Sequence, residues 1–159
     1  MTPGEEIIVR GHRWEDQVAA ILEAQGIQVT YYGQRNYDAR SRDIIRACHP
    51  NLAHVPDLLA IDINGKSFAI DAKWSIHNRA GGRHAVNNLA REGLADFADH
   101  YGFTGLFAFN HDDDRLGFMN VDSWHKHDPQ PGPITRNGTG KAYHLIQCGC
   151  SFPEWATPG

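Results

Sequence analysis

The hydrophobic positions of the chain switch between helical and strand-like periods, and these periods predict its elements. Residues 12–25 are predicted to form a helix, because four apolar residues recur there at helical spacing. Residues 27–32 alternate between apolar and polar positions, as a strand does. Residues 33–55 are polar and rich in arginine, which is typical of a functional loop or of one that hides a short helix.

The most regular stretch, residues 56–75, predicts a β-hairpin. Two apolar runs, at residues 58–63 and 68–72, flank the turn signal Asn64-Gly65. Because both runs are apolar at consecutive positions, their strands are expected to be central and covered on both faces.

Later segments complete the predicted fold. A basic loop at residues 76–84 precedes a helix predicted over residues 84–100, and apolar runs at residues 104–110 and 116–121 predict two more strands. The core order is therefore α-βββ-α-β, followed by one further strand. This order predicts an α/β fold with a central mixed β-sheet flanked by helices, one on each face.

The length of 159 residues is enough for one domain with its own core. Residues 1–127 are the predicted core, and the Pro- and Gly-rich residues 128–159 are a predicted irregular C-terminal extension. The chain has no apolar run of about eighteen residues and no apolar secretory signal, so no membrane partner is expected. Three cysteines, an odd number, favour a reducing compartment, and the expected location is the cytoplasm.

Charged residues stand at unexpected places in the predicted hairpin. Asp57 begins one strand, and Asp71 and Lys73 interrupt the apolar end of the next. Residues two apart in a strand point to the same face, and charges in a buried strand are costly unless they pair or bind a ligand. The simple alternative is an Asp–Lys ion pair. The chemical interpretation is a Mg²⁺ site, since Mg²⁺ takes one or two carboxylates.

The motif Pro56-Asp57, thirteen intervening residues and then Asp71-Ala72-Lys73 resembles that of the PD-(D/E)XK nuclease superfamily. This superfamily includes restriction endonucleases, archaeal Holliday junction resolvases and several repair nucleases. The resemblance covers roughly residues 12–122, including the order of helices and strands, and it implies a restriction-endonuclease-like core.

The resemblance also implies roles for single residues. Asp57, Asp71 and the carbonyl of Ala72 would bind the metal ion, and Lys73 would assist the nucleophile. Many members carry a further metal-associated Glu on the first helix, for which Glu15 is the candidate; its alternative is a solvated helix carboxylate. The implied catalytic residues are therefore Glu15, Asp57, Asp71 and Lys73.

The implied reaction is metal-dependent hydrolysis of DNA phosphodiester bonds that leaves 5′-phosphates. Mg²⁺ is the expected cofactor, Mn²⁺ is expected to substitute for it, and no organic cofactor is expected. A structure-selective endonuclease similar to a Holliday junction resolvase is favoured, acting as a homodimer because cutting two strands needs two sites. The alternatives are a small restriction-type or mobile-element nuclease, a catalytically idle DNA-binding module on the same fold, and an RNase.

The net charge of −4 at first counts against a nucleic-acid partner. Carboxylates that hold a divalent ion account for part of that charge, so local basic patches decide the matter. The candidate DNA contacts are the basic residues on either side of the motif: Arg35, Arg40, Arg42, Arg79, Arg83 and His84. For each of these residues the alternative is a solvated surface position.

Histidines and cysteines near the C-terminus are candidate ligands for a zinc ion. Its ligands would be His144, Cys148 and Cys150, with His125 or His127. A single C-x-C pair is a poor zinc signature, however, so a tail packed through its cysteines is favoured over this site.

The hairpin register tests the motif. A two-residue turn at Asn64-Gly65 would pair Asp57 with Ala72 and turn Asp57 away from Asp71. One ion could then not be held by both carboxylates. We therefore predict a three-residue turn at residues 64–66 or an irregularity near Asp57, with the two carboxylates within about 6 Å, which one ion can nearly bridge.

Overall fold

The structure is a computed structural model that describes residues 2–48, 54–74, 83–111, 115–123, 135–136, 142–147 and 149–151. Three α-helices are α1 (Pro3–Ala24), α2 (Ala39–Cys48) and α3 (Asn88–Tyr101), and two 3₁₀ helices span Gln34–Asn36 and Val121–Ser123. The strands are β1 (Gln28–Tyr31), β2 (Leu58–Ile61), β3 (Ser67–Lys73), β4 (Arg83–Asn87), β5 (Thr104–Asn110), β6 (Leu116–Asn120), β7 (Thr135–Arg136) and β8 (Ala142–Gln147). Within these residues no helix is long and apolar enough to cross a bilayer.

A five-stranded sheet in the order β1-β2-β3-β5-β6 forms the centre of the fold. The pair β3–β5 is parallel and the other pairs are antiparallel. A parallel pair needs a crossover connection, which here contains α3. The predicted α/β fold with a central mixed sheet is confirmed.

The two long helices cover opposite faces of this sheet. Trp14 and its helical neighbours on α1 pack with Leu58 and Ile70. Leu94 of α3 packs with Ala69 and Phe107, whose positions alternate with those of the first cluster along their strands. A helix on each face was also predicted. Because both faces of the sheet are apolar, the charged end of β3 lies at the edge of two apolar layers.

Helix α1 begins nine residues before the predicted start. Thr2 accepts the N–H of Glu5 while the Glu5 side chain accepts the N–H of Thr2, and Pro3 occupies the first turn. This capping box is readable in the sequence Thr-Pro-Gly-Glu. Apolar periodicity missed it because Ile8 and Val9 are exposed there.

The segment before the hairpin contains a helix, as one of the two interpretations held. Helix α2 follows the 3₁₀ helix, and Asp38 accepts the N–H of Ser41 at its start. None of its residues is fully buried, which explains why the segment is polar and rich in arginine.

Strand β4 corrects the prediction of a helix over residues 84–100. It pairs with β8, and the two form a second sheet in the order β4-β8-β7. The helix begins only at Asn88, where the Asn87 side chain accepts the N–H groups of Leu89 and Ala90. The predicted irregular extension thus contains two strands, β7 and β8, and β8 pairs with a strand over fifty residues earlier in the chain.

Candidate active site

The hairpin turn determines which side chains meet. Strands β2 and β3 pair from Leu58↔Ile70 to Ile61↔Ser67, and Asp62 N–H donates to the Lys66 carbonyl at 2.9 Å. The turn therefore has three residues, 63–65, one residue earlier than predicted. The Asp62 carboxylate accepts two N–H groups of the turn at 2.9 Å, and the left-handed backbone of Gly65 (φ 80°) completes it.

This register places Asp57 opposite Asp71, as the chemistry requires. The ladder is also irregular there: Asp57 N–H donates to the Ile70 carbonyl at 2.9 Å, while the Asp57 carboxylate accepts the N–H of Ala72 at 2.8 Å. The carboxyl groups of Asp57 and Asp71 are close enough to share a hydrogen bond. The predicted turn length, the irregularity near Asp57 and the proximity of the two acids are confirmed.

Two glycines hold the segment that leads into Asp57. A Cβ on Gly33 would lie 2.9 Å from the Asp57 Cα and 3.1 Å from its Oδ1. A Cβ on Gly93, in α3, would lie 2.7 Å from the His54 Cβ. The backbone N–H groups of Tyr32 and Gly33 donate to the Asp57 carbonyl. Close backbone packing therefore fixes where the Asp57 side chain starts.

One pocket of about 270 Å³ brings all four predicted catalytic side chains together, including Glu15 from the first helix. The lining residues are Ile8, Gly11, His12, Glu15, Arg35, Arg42, His54, Val55, Asp57, Asp71 and Lys73. Five of these, Ile8, Gly11, His12, His54 and Val55, were missed by sequence reasoning. The capping box at the start of α1 could have revealed Ile8 and Gly11, because they lie about two turns and one turn before Glu15 on the extended helix.

The acids of this pocket crowd one another. Burial raises the pKa of Asp57 well above its ordinary value, and the nearby charges of Asp71 and Glu15 raise it further. Lys73 lies 3.2 Å from Asp71 and keeps 30% of its side chain exposed. Burial alone would lower the pKa of Lys73, but the neighbouring acids reverse this and raise it, so the ammonium stays charged and faces the pocket.

Glu15 is the third acid and is nearly buried, with 9% of its surface exposed. Burial raises its pKa, although the guanidinium of Arg35 at 3.1 Å opposes this. Arg35 also binds Asp16 at 2.9 Å and lies over the Tyr31 ring. The Tyr31 hydroxyl donates to Asp16 at 2.7 Å, and this bond raises the pKa of Tyr31 to about 12.

Comparison with solved structures finds similar chains, among them these two. Hjc of Archaeoglobus fulgidus, a Holliday junction resolvase, is 15% identical over 86% of this chain and 88% of its own, with a TM-score of 0.54. The chain therefore shares the fold of this resolvase structure. D212, a nuclease from a fusselovirus, is 16% identical over 92% of this chain and 84% of its own, with a TM-score of 0.46. No family model and no curated sequence matches the chain.

The structure places the candidate DNA contacts in different surroundings. Arg35 and Arg42 line the pocket, whereas Arg40 is exposed on α2 and does not line it. Arg79 lies outside the described residues, and Arg83 is described only as part of the β4 backbone.

His84 was wrongly placed among the DNA contacts. It is fully buried, and its ring stacks on Phe109 with 4.0 Å between the ring centroids. Burial and the nearby His111 lower the pKa of His84 to about 4, so its imidazole is neutral. The predicted basic loop ended at residue 84, but this residue lies in strand β4, which directs the His84 side chain into the core.

Proposed function

We propose that this chain is a magnesium-dependent endonuclease that hydrolyses DNA phosphodiester bonds and leaves 5′-phosphates. The observation that carries the proposal is the contact between the Asp57 and Asp71 carboxyl groups, with Lys73 beside them in an open pocket. Two carboxylates in contact repel each other unless a proton or a cation lies between them. A purely structural ion pair would need only one of these acids.

The donor atoms fit Mg²⁺, which is hard and prefers oxygen. Asp57, Asp71 and the carbonyl of Ala72 would hold the ion, with Glu15 at the edge of the site. When bound, Mg²⁺ neutralises phosphate charge and lowers the pKa of water, and Mn²⁺ offers the same chemistry.

The side chains around the metal site would stabilise charge, position the acids and bind the phosphate backbone. The Lys73 ammonium faces the pocket and can stabilise the charge that grows on the phosphate. Arg35 holds Glu15 in place at 3.1 Å, and Arg42 offers a second guanidinium to the phosphate backbone. The partly buried Asp57 carboxylate is anchored by the Ala72 N–H, so the acid pair is preorganised.

The preferred substrate in this proposal is a DNA junction. The likeness of the fold to that of Hjc, a Holliday junction resolvase, supports this choice. Cutting two strands needs two sites, so we propose that the chain works as a homodimer. A restriction-type nuclease, an RNase and an idle DNA-binding module are the competing outcomes.

A cleavage panel distinguishes these outcomes. Purified protein is incubated with Mg²⁺ and a four-way junction, linear duplex, single strand, flap or structured RNA, and the ends of the products are mapped. We expect junction cleavage with 5′-phosphate ends, no cleavage in EDTA, and a dimeric mass by sedimentation. Cleavage that continues in excess EDTA contradicts the metal mechanism, and binding without cleavage of any substrate contradicts the enzyme.

A further inference from the structure

Two histidines and a cysteine converge at a place separate from the candidate active site. His84 lies in β4, His111 directly follows β5, and Cys150 lies beside the C-terminal bridge to β6. One ligand atom from each lies within 4.8 Å of the ligand atoms of the other two. None of the three lines the pocket that holds Asp57 and Asp71.

The distance between Cys150 and His84 is close to that between two ligands of a tetrahedral zinc site. The Cys150 Sγ lies 3.7 Å from the His84 Nε2. Zinc bonds of about 2.3 Å to sulfur and about 2.0–2.1 Å to nitrogen at a tetrahedral angle place these two atoms about 3.6 Å apart. The stack on Phe109 fixes the ring plane of His84, and the His111 ring stands edge-on to it at 5.0 Å.

We propose that His84, His111 and Cys150 are three ligands of a tetrahedral zinc site. Imidazole nitrogen and thiolate are the ligands that Zn²⁺ prefers, whereas Mg²⁺ prefers the oxygen ligands of the acidic pocket. The two sites of the chain therefore select different ions. Cys150 is partly exposed, which gives the ion a path to the two buried histidines.

The ion joins three segments that are distant in sequence. His111 stands at the connection of β5 and β6, where its N–H donates to the Arg115 carbonyl at 3.0 Å. Ser151, next to Cys150, exchanges two backbone hydrogen bonds with Phe118 of β6 at 2.8 and 3.0 Å. Zinc at this place would fasten β4 and the C-terminal segment to the edge of the main sheet, so its binding energy would add to folding stability.

This ligand set differs from the one considered for the C-terminal residues in the sequence. Among the described residues, Cys150 is the member of that set that belongs to the cluster. His144 lies in β8, where its backbone pairs with that of Val86 in β4. Cys148, His125 and His127 lie outside the described residues. The two ligands that were missed, His84 and His111, come from the core.

Cobalt binding to the full chain tests the site directly. Metal-free protein is titrated with Co²⁺ and then with Zn²⁺, and the absorption spectrum and melting temperature are recorded. We expect one equivalent of Co²⁺ to give a thiolate-to-cobalt charge-transfer band and tetrahedral d–d bands that one equivalent of Zn²⁺ removes. Zinc should also raise the melting temperature. Absence of both the thiolate band and the thermal shift in the wild-type protein overturns the proposal.

Substitutions assign the ligands. Cys150→Ser and His84→Phe should each remove the thiolate band or reduce zinc affinity by more than the roughly 10–100-fold cost of losing a supporting residue. His84→Phe keeps an aromatic ring on Phe109, so it preserves packing that an alanine would lose. Cys48→Ser, at an exposed cysteine on α2, is the matched control and should bind zinc as the wild type does. Unchanged zinc affinity in folded Cys150→Ser contradicts the assignment.

Discussion

The carboxylate of Asp57 accepts the backbone N–H of Ala72 at 2.8 Å, where the β2–β3 ladder ends. This bond holds an acidic side chain against the next strand, beside the carboxyl group of Asp71. An amide oxygen can accept the same hydrogen bond. The charge of Asp57 can therefore be removed while its anchor is kept.

Asp57→Asn should abolish Mg²⁺-dependent cleavage and leave the fold intact. In EDTA its melting temperature should equal or exceed that of the wild type, by about 2–4 °C for each kcal/mol of repulsion removed. Calorimetry and the cleavage assay measure the two effects, with Asp99→Asn, an exposed carboxylate on α3, as the control. A clear loss of stability in Asp57→Asn would mean that the acid is structural.

The same repulsion predicts a pH dependence of the metal-free protein. Because burial and Asp71 raise the pKa of Asp57 above 3.8, the folded state binds more protons than the unfolded state above that pH. The contribution of Asp57 to stability is therefore present below pH 3.8 and is lost as the pH rises through the raised pKa. The melting temperature of Asp57→Asn minus that of the wild type should grow over this window in EDTA and shrink with Mg²⁺. A difference that is constant across pH would contradict the raised pKa.

Lys73→Ala should lower the cleavage rate at least about 10²-fold and change DNA affinity little, if the ammonium acts mainly in the transition state. Lys73→Arg should rescue poorly, since a planar guanidinium does not replace a compact ammonium. Single-turnover rates and binding without metal separate the two effects. Equal losses in rate and affinity would make Lys73 a simple phosphate contact.

Arg42 and Arg40 form a matched pair on α2, since only Arg42 lines the pocket. Arg42→Ala should weaken DNA binding and reduce the slope of log affinity against log salt by about one unit. Arg40→Ala should have the smaller effect. Titrations at several salt concentrations measure both slopes, and equal slopes would remove Arg42 from the interface.

Gly33→Ala should impair catalysis through position alone. The added Cβ would lie 2.9 Å from the Asp57 Cα, so the acid has to move, and a displacement of about 1 Å can cost about 10²-fold in rate. Gly4→Ala, where the nearest atom is 4.0 Å away, is the control. The rate and the melting temperature of each variant are compared with the wild type, and an unchanged rate in Gly33→Ala would show that the segment yields freely.

Patterns among residues that are close in sequence predicted the elements whose structure depends on such neighbours. The apolar spacing of the first helix, the runs of the hairpin and the motif around Asp71 depend on neighbours in sequence, and they led to the sheet and the four catalytic candidates. The hairpin register could be predicted from the chemistry of the site, because Asp57 and Asp71 must lie on the same face of the sheet to hold one ion.

Distant pairing explains what the sequence left hidden. Strand β4 exists because Val86 pairs with the backbone of His144, and its short length fits a helical pattern equally well. His84 belongs to the same strand, so its burial could not be foreseen from a basic, glycine-containing loop. The contact of Arg35 with Glu15 likewise depends on how the 3₁₀ helix folds back on α1.

The packing of Gly93 against His54 has a consequence for how the chain can vary. Here α3 touches the segment that carries Asp57, and a Cβ would lie 2.7 Å from both the Cβ and the carbonyl oxygen of His54. Because Gly93 has no side chain, the segment that carries Asp57 can pack directly against α3. In a saturation library selected for cleavage, position 93 should tolerate as few replacements as the acids do, although no reacting group ever meets it.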